Sequence, residues 1–117
     1  MKKEAVIEYA QSLCGAAWDK PFEGDFDTVV LRHSDTRKWF GIIMNHEGRD
    51  ILNLKCEPDH SDFLKQQFEG IIEAYHMNKR LWITVILESD VTDDELKRLI
   101  SHSFMLTDKK KRKNKSK

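Results

Sequence analysis

The sequence has few cysteines, the residues that stabilise small secreted domains through disulfides, and it contains no apolar run long enough to span a membrane. Among its 117 residues are two cysteines, two prolines and five glycines. Cys14 and Cys56 form no CxxC motif, so a disulfide framework is excluded and a reduced, cytoplasmic protein is expected. No stretch approaches the roughly 18 apolar residues that span a bilayer, and the opening MKKE does not lead into the apolar part of a signal peptide. We therefore expect no membrane partner.

Net charge is also absent, which at first sight argues against binding to nucleic acid. The 20 basic and 20 acidic side chains are, however, unevenly placed. Residues 108–117 (DKKKRKNKSK) hold seven basic and one acidic side chain, which leaves 13 basic and 19 acidic side chains in residues 1–107. The sequence therefore predicts one acidic domain over 1–107. It also predicts a disordered lysine-rich tail over 108–117, because a block of like charge cannot bury apolar surface.

The spacing of apolar residues predicts the element order α-β-β-β-α-β-α. Helical spacing predicts a first helix over 3–14. A second helix is predicted to start near Asp59 or Ser61 and to stop at Gly70. A third is predicted to follow the capping box that begins at Thr92. Alternating or β-branched runs predict strands at 28–33, 38–46, 51–56 and 81–88. Residues 16–27 look irregular, and 71–80 fit neither pattern. Short polar joins favour a meander, so we expect an α+β domain with helices packed on one face of an antiparallel sheet.

Signals for chemistry are weak. Cys56, Glu57, Asp59 and His60 are possible metal ligands close in sequence, but no pair has a strong zinc spacing. Alternation also directs Cys56 to the apolar face of its strand, so the prediction is a buried thiol and no metal. Neither cysteine has a catalytic signature, and there is no GxSxG motif or glycine-rich phosphate loop. We predict no catalytic residue, no cofactor and a protein that is not an enzyme.

One segment stands apart in composition. Residues 74–82 (AYHMNKRLW) combine Tyr, His, Asn, Lys, Arg and Trp, which are residues that hold phosphates or stack on bases. The segment leads directly into the most apolar predicted strand, so its position is set by the sheet. The alternative is that Tyr75 and Trp82 pack in the core while His76, Asn78 and Lys79 fasten a turn through backbone hydrogen bonds.

Residues 75–85 (YHMNKRLWITV) resemble the signature of the MmcQ/YjbR family of small bacterial proteins. LKCEP at 54–58, FLKQQ at 63–67 and DEL at 94–96 are similar to further positions of that family. The resemblance covers nearly all of residues 1–106 and leaves the lysine-rich tail outside. It implies a frataxin-like (CyaY-like) α+β superfold and a DNA-binding protein, and it brings no catalytic residue or cofactor with it.

The resulting functional prediction is a protein that binds double-stranded DNA. The candidate contacts in the body are Lys55, His76, Asn78, Lys79 and Arg80. The candidate contacts in the tail are Lys109, Lys110, Lys111, Arg112 and Lys113. Because the acidic body repels a polyanion, we expect the tail to supply most of the affinity and little sequence preference.

The alternative is a protein-interaction or small-ligand module with no role in nucleic-acid binding. Helices can cover only one face of the sheet, so we expect the face with Trp39, Ile43 and Trp82 to be partly exposed. An exposed aromatic patch of this kind marks a partner surface. A homo-oligomer therefore stays open at this point.

Overall fold

Three helices and six strands make up residues 1–108, the part of the chain that this computed structural model describes. The helices are α1 (Lys3–Gln11), α2 (Pro58–Gln67) and α3 (Asp93–Leu106). The strands are β1 (Ala16–Asp19), β2 (Val29–His33), β3 (Trp39–His46), β4 (Arg49–Lys55), β5 (Ile71–Glu73) and β6 (Trp82–Ile86). All neighbouring strands are antiparallel, in the order β1-β2-β3-β4-β6-β5. The predicted α+β fold with an antiparallel sheet is confirmed.

All three helices pack on one face of the sheet. A row of apolar side chains crosses five strands in register on that face, namely Val29, Ile43, Leu52, Val85 and Ile71. Each of them is buried in the same core as side chains from every helix, among them Val6, Leu64 and Ile100. The core therefore lies between the sheet and a single helical layer, as expected for this class of fold.

The opposite face, called the far face below, carries the neighbouring row of residues. That row consists of Val30, Ile42, Asn53, Thr84 and Ile72. The first four are buried although none of the three described helices lies over them. Asn53 and Thr84 are also fully buried polar residues, which requires that hydrogen-bond partners cover this face.

A β-bulge in β3 changes which side chains face the helices. Leu31 pairs with Gly41 and Arg32 pairs with Trp39, so Phe40 is the extra residue. As a result Phe40 and Ile43 both lie in the helix-side core. The sequence prediction that Ile43 shares an exposed face with Trp39 was wrong, because strict alternation cannot include an inserted residue.

The bulge is tied to helix α3 by one buried serine. The Ser103 hydroxyl donates to the carbonyl of Phe40 and accepts a hydrogen bond from the Lys55 amide at 2.9 Å. Two backbone groups that the bulge removes from strand pairing are thereby satisfied. Gly41 is required at this site because a Cβ there would lie 2.8 Å from Leu31 Cδ1.

Two edge strands and several boundaries differ from the sequence prediction. Strands β1 and β5 have four and three residues, too few to show a period, and they fall in the segments read as irregular or unassigned. Helix α2 begins with Glu57 as N-cap and Pro58 at its first turn, not at Asp59 or Ser61. The Pro ring presets the backbone for a helix start.

The predicted turns and the last cap are present. Glu47 and Gly48 both have positive φ, 54° and 80°, which is the two-residue turn that matches hairpin twist. Thr92 Oγ1 accepts the amide of Glu95 at the start of α3. Asp108 ends the described chain, with its amide donating to Met105, and the rest of the predicted disordered tail (109–117) lies outside the described residues. No helix within residues 1–108 is long and apolar enough to cross a membrane.

Candidate nucleic-acid interface

Four half-buried side chains form a cationic and aromatic row on the far face. Arg32 and Trp39 are register partners, and the Arg32 guanidinium lies 5.5 Å from the Trp39 ring centroid. Lys55 and Trp82 are register partners on the next two strands, with Lys55 Nζ 5.9 Å from the Trp82 ring. Such contacts contribute about 0.5–1 kcal/mol each at exposed sites. This aromatic–cation row spans strands β2, β3, β4 and β6.

The segment 74–80 lies across the middle of the far face. Asn53 Nδ2 donates to the Tyr75 carbonyl at 2.9 Å, and the Tyr75 amide donates to Thr84 Oγ1 at 2.8 Å. Thr84 in turn donates to Asn53 Oδ1. These bonds satisfy the two buried polar residues of the sheet, so they fix the segment to β4 and β6.

The polar residues of this segment also hold its own turn. Asn78 Oδ1 accepts the Arg80 amide at 2.9 Å, and the Asn78 carbonyl accepts the amides of Leu81 and Trp82. Lys79 Nζ donates to the Ala74 carbonyl at 3.0 Å. The turn-fastening interpretation of Asn78 and Lys79 therefore has direct geometric support, while the residues themselves remain exposed.

Three rings contact one another beside this turn, and two of them, His46 and Tyr75, border a groove. The Tyr75 ring is tilted against those of His46 and His76, with centroids 3.9 Å and 4.0 Å away. His76 has a positive φ of 61°, which turns the chain and places its ring on Tyr75. The adjoining groove has a volume of about 330 Å³, and its charged lining consists of Lys79, Arg49, Glu47 and Glu73. The charges of the groove are therefore balanced.

The structure brings the body candidates from the sequence analysis to one region. Lys55 lies beside Trp82, and the amide of Trp82 is held by Asn78, so Lys55 and the 76–80 turn share one end of the far face. His76, Asn78, Lys79 and Arg80 are exposed. The tail candidates Lys109, Lys110, Lys111, Arg112 and Lys113 lie outside the described residues. A nucleic-acid role for both sets stays a prediction.

Sequence reasoning missed Arg32 as a member of this region, whereas it placed Trp39 on the same sheet face as Trp82. Arg32 lies in a predicted strand far from the 74–82 segment, and only the register of β2 on β3 brings it to Trp39. Arg32 is further held by Asp19, with Nε 2.9 Å from Oδ1. Phe22 packs edge-on against Trp39 with ring centroids 6.0 Å apart. No local motif signals these long-range contacts.

Charge is distributed unequally between the two layers of the fold. The three helices contain seven acidic and four basic residues, whereas the six strands contain three of each. Residues 74–81 add two basic side chains and no acidic one. The other loops of residues 1–107 hold nine acidic and four basic side chains and carry most of the acidic excess. Of the two layers, the sheet with its covering segment is the less negative one.

The two cysteines differ in environment. Cys14 is exposed, and Cys56 is buried. Burial, with a further contribution from the charge of Glu57, raises the pKa of the Cys56 thiol to about 11, so this thiol is protonated at neutral pH and is a poor nucleophile by itself. Glu57 also contacts a residue that sequence spacing could not indicate, His102 of α3, whose Nε2 is 2.7 Å from Glu57 Oε1. That hydrogen bond is the main reason that the pKa of Glu57 is lowered.

The fold and this region define a small α+β domain with a six-stranded antiparallel sheet, one helical layer and a polar segment across the other face. The family model described as YjbR matches residues 11–106, and the chain belongs to that family. The uncharacterized protein YyaQ of Bacillus subtilis is 37% identical over 117 residues, covering 92% of this chain and 98% of its own length. The uncharacterized protein YjbR of Escherichia coli K12 is 25% identical, over 85% and 80% of the two chains.

Solved structures show the same architecture. A crystal structure of a Pseudomonas syringae protein superposes with a TM-score of 0.84 at 36% identity, covering 92% of this chain and all (100%) of that one. A Deinococcus radiodurans protein described as a DUF419 domain superposes with a TM-score of 0.78 at 24% identity, covering 95% and 85%. The second likeness concerns the fold only.

Proposed function

We propose that this protein is a non-enzymatic binder of double-stranded DNA that contacts the duplex with the far face of its sheet and with its basic tail. The observation that supports the body contact is the convergence of Lys55, Lys79 and Arg80 at the Trp82 end of that face. Phosphate contacts from such side chains position a protein on DNA without reading sequence. We also propose the CyaY-like superfold, supported by terminal helices that flank a meander on one face of the sheet.

The charge distribution decides which side of the body faces the polyanion. Because the helices are net acidic while the strands are balanced and residues 74–81 add two cations, an approaching duplex meets less repulsion at the far face than at the helical layer. Two exposed cations on the 76–80 turn and the half-buried Lys55 are then close to phosphate. The seven basic residues of 108–117 add affinity that depends on charge and not on base sequence.

The test is fluorescence anisotropy of a labelled duplex with the full chain, repeated across a range of salt concentrations. Replacing the five tail residues 109–113 with glutamine is expected to reduce the salt slope by about 4, because each neutralised phosphate contributes about 0.9. The double variant Lys79→Gln, Arg80→Gln is expected to reduce the slope by about 1–2. Body and tail contacts are thereby separated.

The matched control is the double variant Lys97→Gln, Arg98→Gln. It removes an adjacent basic pair of the same charge from α3, where Lys97 lies over Tyr9 and Arg98 pairs with Glu95. We expect it to leave the slope nearly unchanged. If both pairs reduce binding equally, the far face is not the contact. If the full chain fails to bind duplex DNA at low salt, the proposal as a whole is wrong.

A second candidate is partner binding or self-association without nucleic acid. Phe26 is 82% exposed, and Trp18 and Phe22 are each 41% exposed, near the β1 edge of the sheet. Exposed aromatic side chains are enriched at protein interfaces. Light scattering over a range of protein concentrations tests self-association, and a monomer whose mass does not change with concentration would contradict it.

A further inference from the structure

Four side chains that bind transition metals meet where β4 ends and α2 begins. Cys56 Sγ, a carboxylate oxygen of Glu57 and a ring nitrogen of His60 lie within 4.8 Å of one another. His102 of α3 joins them through Glu57, and its ring centroid is 5.5 Å from that of His60. We propose that this Cys–His cluster binds a borderline divalent cation such as Zn²⁺, with Cys56, Glu57 and His60 as ligands and His102 orienting Glu57.

The conformation of Glu57 supports a ligand role. Glu57 occupies the N-cap position of α2, with φ −69° and ψ 149°, yet its side chain makes no capping hydrogen bond in the described chain. Its carboxylate instead points to His102, with His60 Nδ1 3.9 Å from the same oxygen. Glutamate is not among the preferred N-cap residues, and the hydrogen bond to His102 holds its carboxylate beside His60. The carboxylate is therefore already oriented toward side chains that could share a cation with it.

The cluster has a buried floor and an accessible rim. Cys56 is buried, while the side chains of Glu57 and His60 are 50% and 39% exposed. Zinc–sulfur bonds of about 2.3 Å and zinc–nitrogen bonds of about 2.0 Å put neighbouring ligand atoms roughly 3.5 Å apart. The ligand atoms now lie within 4.8 Å of one another, so metal binding requires the accessible side chains of Glu57 and His60 to move toward the thiol. The open side leaves room for a water as a further ligand.

Charge and ligand type favour zinc over magnesium or calcium. The Cys56 thiolate and the Glu57 carboxylate together neutralise a doubly charged cation, so no net positive charge faces the positive end of the α2 dipole. A metal ion also deprotonates a coordinating thiol whose pKa is otherwise high. Thiolate and imidazole are poor ligands for Mg²⁺ and Ca²⁺, which prefer oxygen. The imidazole of His102 orients the Glu57 carboxylate through a hydrogen bond, as residues that contact a ligand but not the metal do in many metal sites.

The test is titration of the untagged, reduced full chain with Zn²⁺ by calorimetry and with Co²⁺ by absorption spectroscopy. One Zn²⁺ per chain and a thiolate-to-cobalt charge-transfer absorption are expected. Cys56→Ser is expected to abolish the absorption, and His60→Ala to weaken Zn²⁺ binding by about tenfold or more. His102→Ala is expected to weaken it about 10–100-fold while the absorption persists.

Matched controls come from the same chain. Cys14→Ser changes the other cysteine, and His46→Ala changes a histidine on the far face. Both are expected to keep the stoichiometry and the absorption. Because Cys56 lies in the core, circular dichroism first checks that Cys56→Ser is folded, and His60→Ala decides the question if it is not. An absence of thiolate absorption with Co²⁺, unchanged binding in His60→Ala, or equal competition by Mg²⁺ would each overturn the proposal.

Discussion

Single buried polar residues connect the layers of this molecule. Ser103 links α3 to the bulge of β3 and to the end of β4, and it is fully buried. His33 joins β2 to the end of α3, with Nε2 2.7 Å from Thr107 Oγ1 and its ring stacked on Phe104 at 4.2 Å. Each of these residues forms hydrogen bonds to buried polar groups that have no partner among the apolar side chains. We therefore expect each to contribute more to stability than its small side chain suggests.

Ser103→Ala is expected to lower the free energy of unfolding by about 2–4 kcal/mol, because it leaves the Phe40 carbonyl and the Lys55 amide unsatisfied. Ser101→Ala is the control on the same helix. Within residues 1–108 the Ser101 hydroxyl bonds only the Tyr9 hydroxyl, at 2.7 Å, and its loss is expected to cost about 0.5–1.5 kcal/mol. Urea unfolding measures both, and equal losses would contradict the bridging role of Ser103.

Burial makes His33 a source of pH-dependent stability. Desolvation lowers its pKa from the ordinary 6.5, with Lys38 acting in the same direction and the carboxylates of Asp108 and Asp35 opposing it. Because the folded pKa lies below 6.5, the unfolded chain takes up the proton first as the pH falls. The contribution of His33 to stability is therefore complete above pH 6.5 and declines between 6.5 and the folded pKa.

We expect the free energy of unfolding to fall between pH 7 and pH 5 with a His33 contribution of at most about 1.4 kcal/mol per pH unit. His33→Gln removes this contribution, and His76→Gln, at an exposed position, does not. Urea unfolding at half-unit pH steps gives both slopes. The pKa values of Asp25, Glu57 and Asp90 are lowered in the folded protein, so the stability that these carboxylates contribute is lost only at lower pH. A slope that survives His33→Gln would rule out this assignment.

At the scale of elements, the 74–80 segment acts as the cover of the far face. It has no regular structure, and its position depends on Asn53 and Thr84 in the sheet. Its own turn depends on Asn78 and Lys79. The residues predicted to contact DNA are therefore presented by a segment that the sheet holds at fixed points, which limits the entropy that binding must overcome.

Thr84→Val keeps the side-chain shape but removes the hydroxyl that accepts the Tyr75 amide and donates to Asn53. We expect a loss of about 1–3 kcal/mol in the free energy of unfolding and faster hydrogen exchange at the Tyr75 amide. Thr36→Val, in the exposed β2–β3 turn, is the control. It loses a hydrogen bond from the Lys38 amide at 3.3 Å, so we expect a smaller loss of stability and no change in exchange at Tyr75. Unaltered exchange at Tyr75 in Thr84→Val would show that the segment is held by other contacts.

Periodicity predicted the three helices and the four longer strands, because each of those elements repeats its pattern several times. It could not find β1 and β5, which are held by one neighbour each and are too short to repeat. It also failed at Phe40, where one inserted residue reverses the alternation. In the candidate site, residues 76–80 and Lys55 were identifiable from local composition. Alternation also placed Trp39 on the face of Trp82. Arg32 and His102 were not identifiable, because register and helix packing place them.

For the whole molecule, the zero net charge conceals three zones. The helices and the loops of 1–107 outside 74–81 are acidic, the strands are balanced, and residues 74–81 and 108–117 are basic. A molecule with this distribution orients in the field of a polyanion before it makes contact. The proposed function therefore predicts an orientation, with the far face toward DNA and α3 away from it.

The most direct measurement is a two-dimensional NMR titration of the full chain, labelled with ¹⁵N, with a short duplex DNA at low salt. The account predicts that amide signals shift at Lys55, in residues 76–80 and at Trp82, together with signals of the basic tail. Signals of Lys97 and Arg98 on α3 should stay in place. Shifts confined to residues 109–117, or larger shifts on α3 than on the 76–80 turn, would contradict binding through the far face.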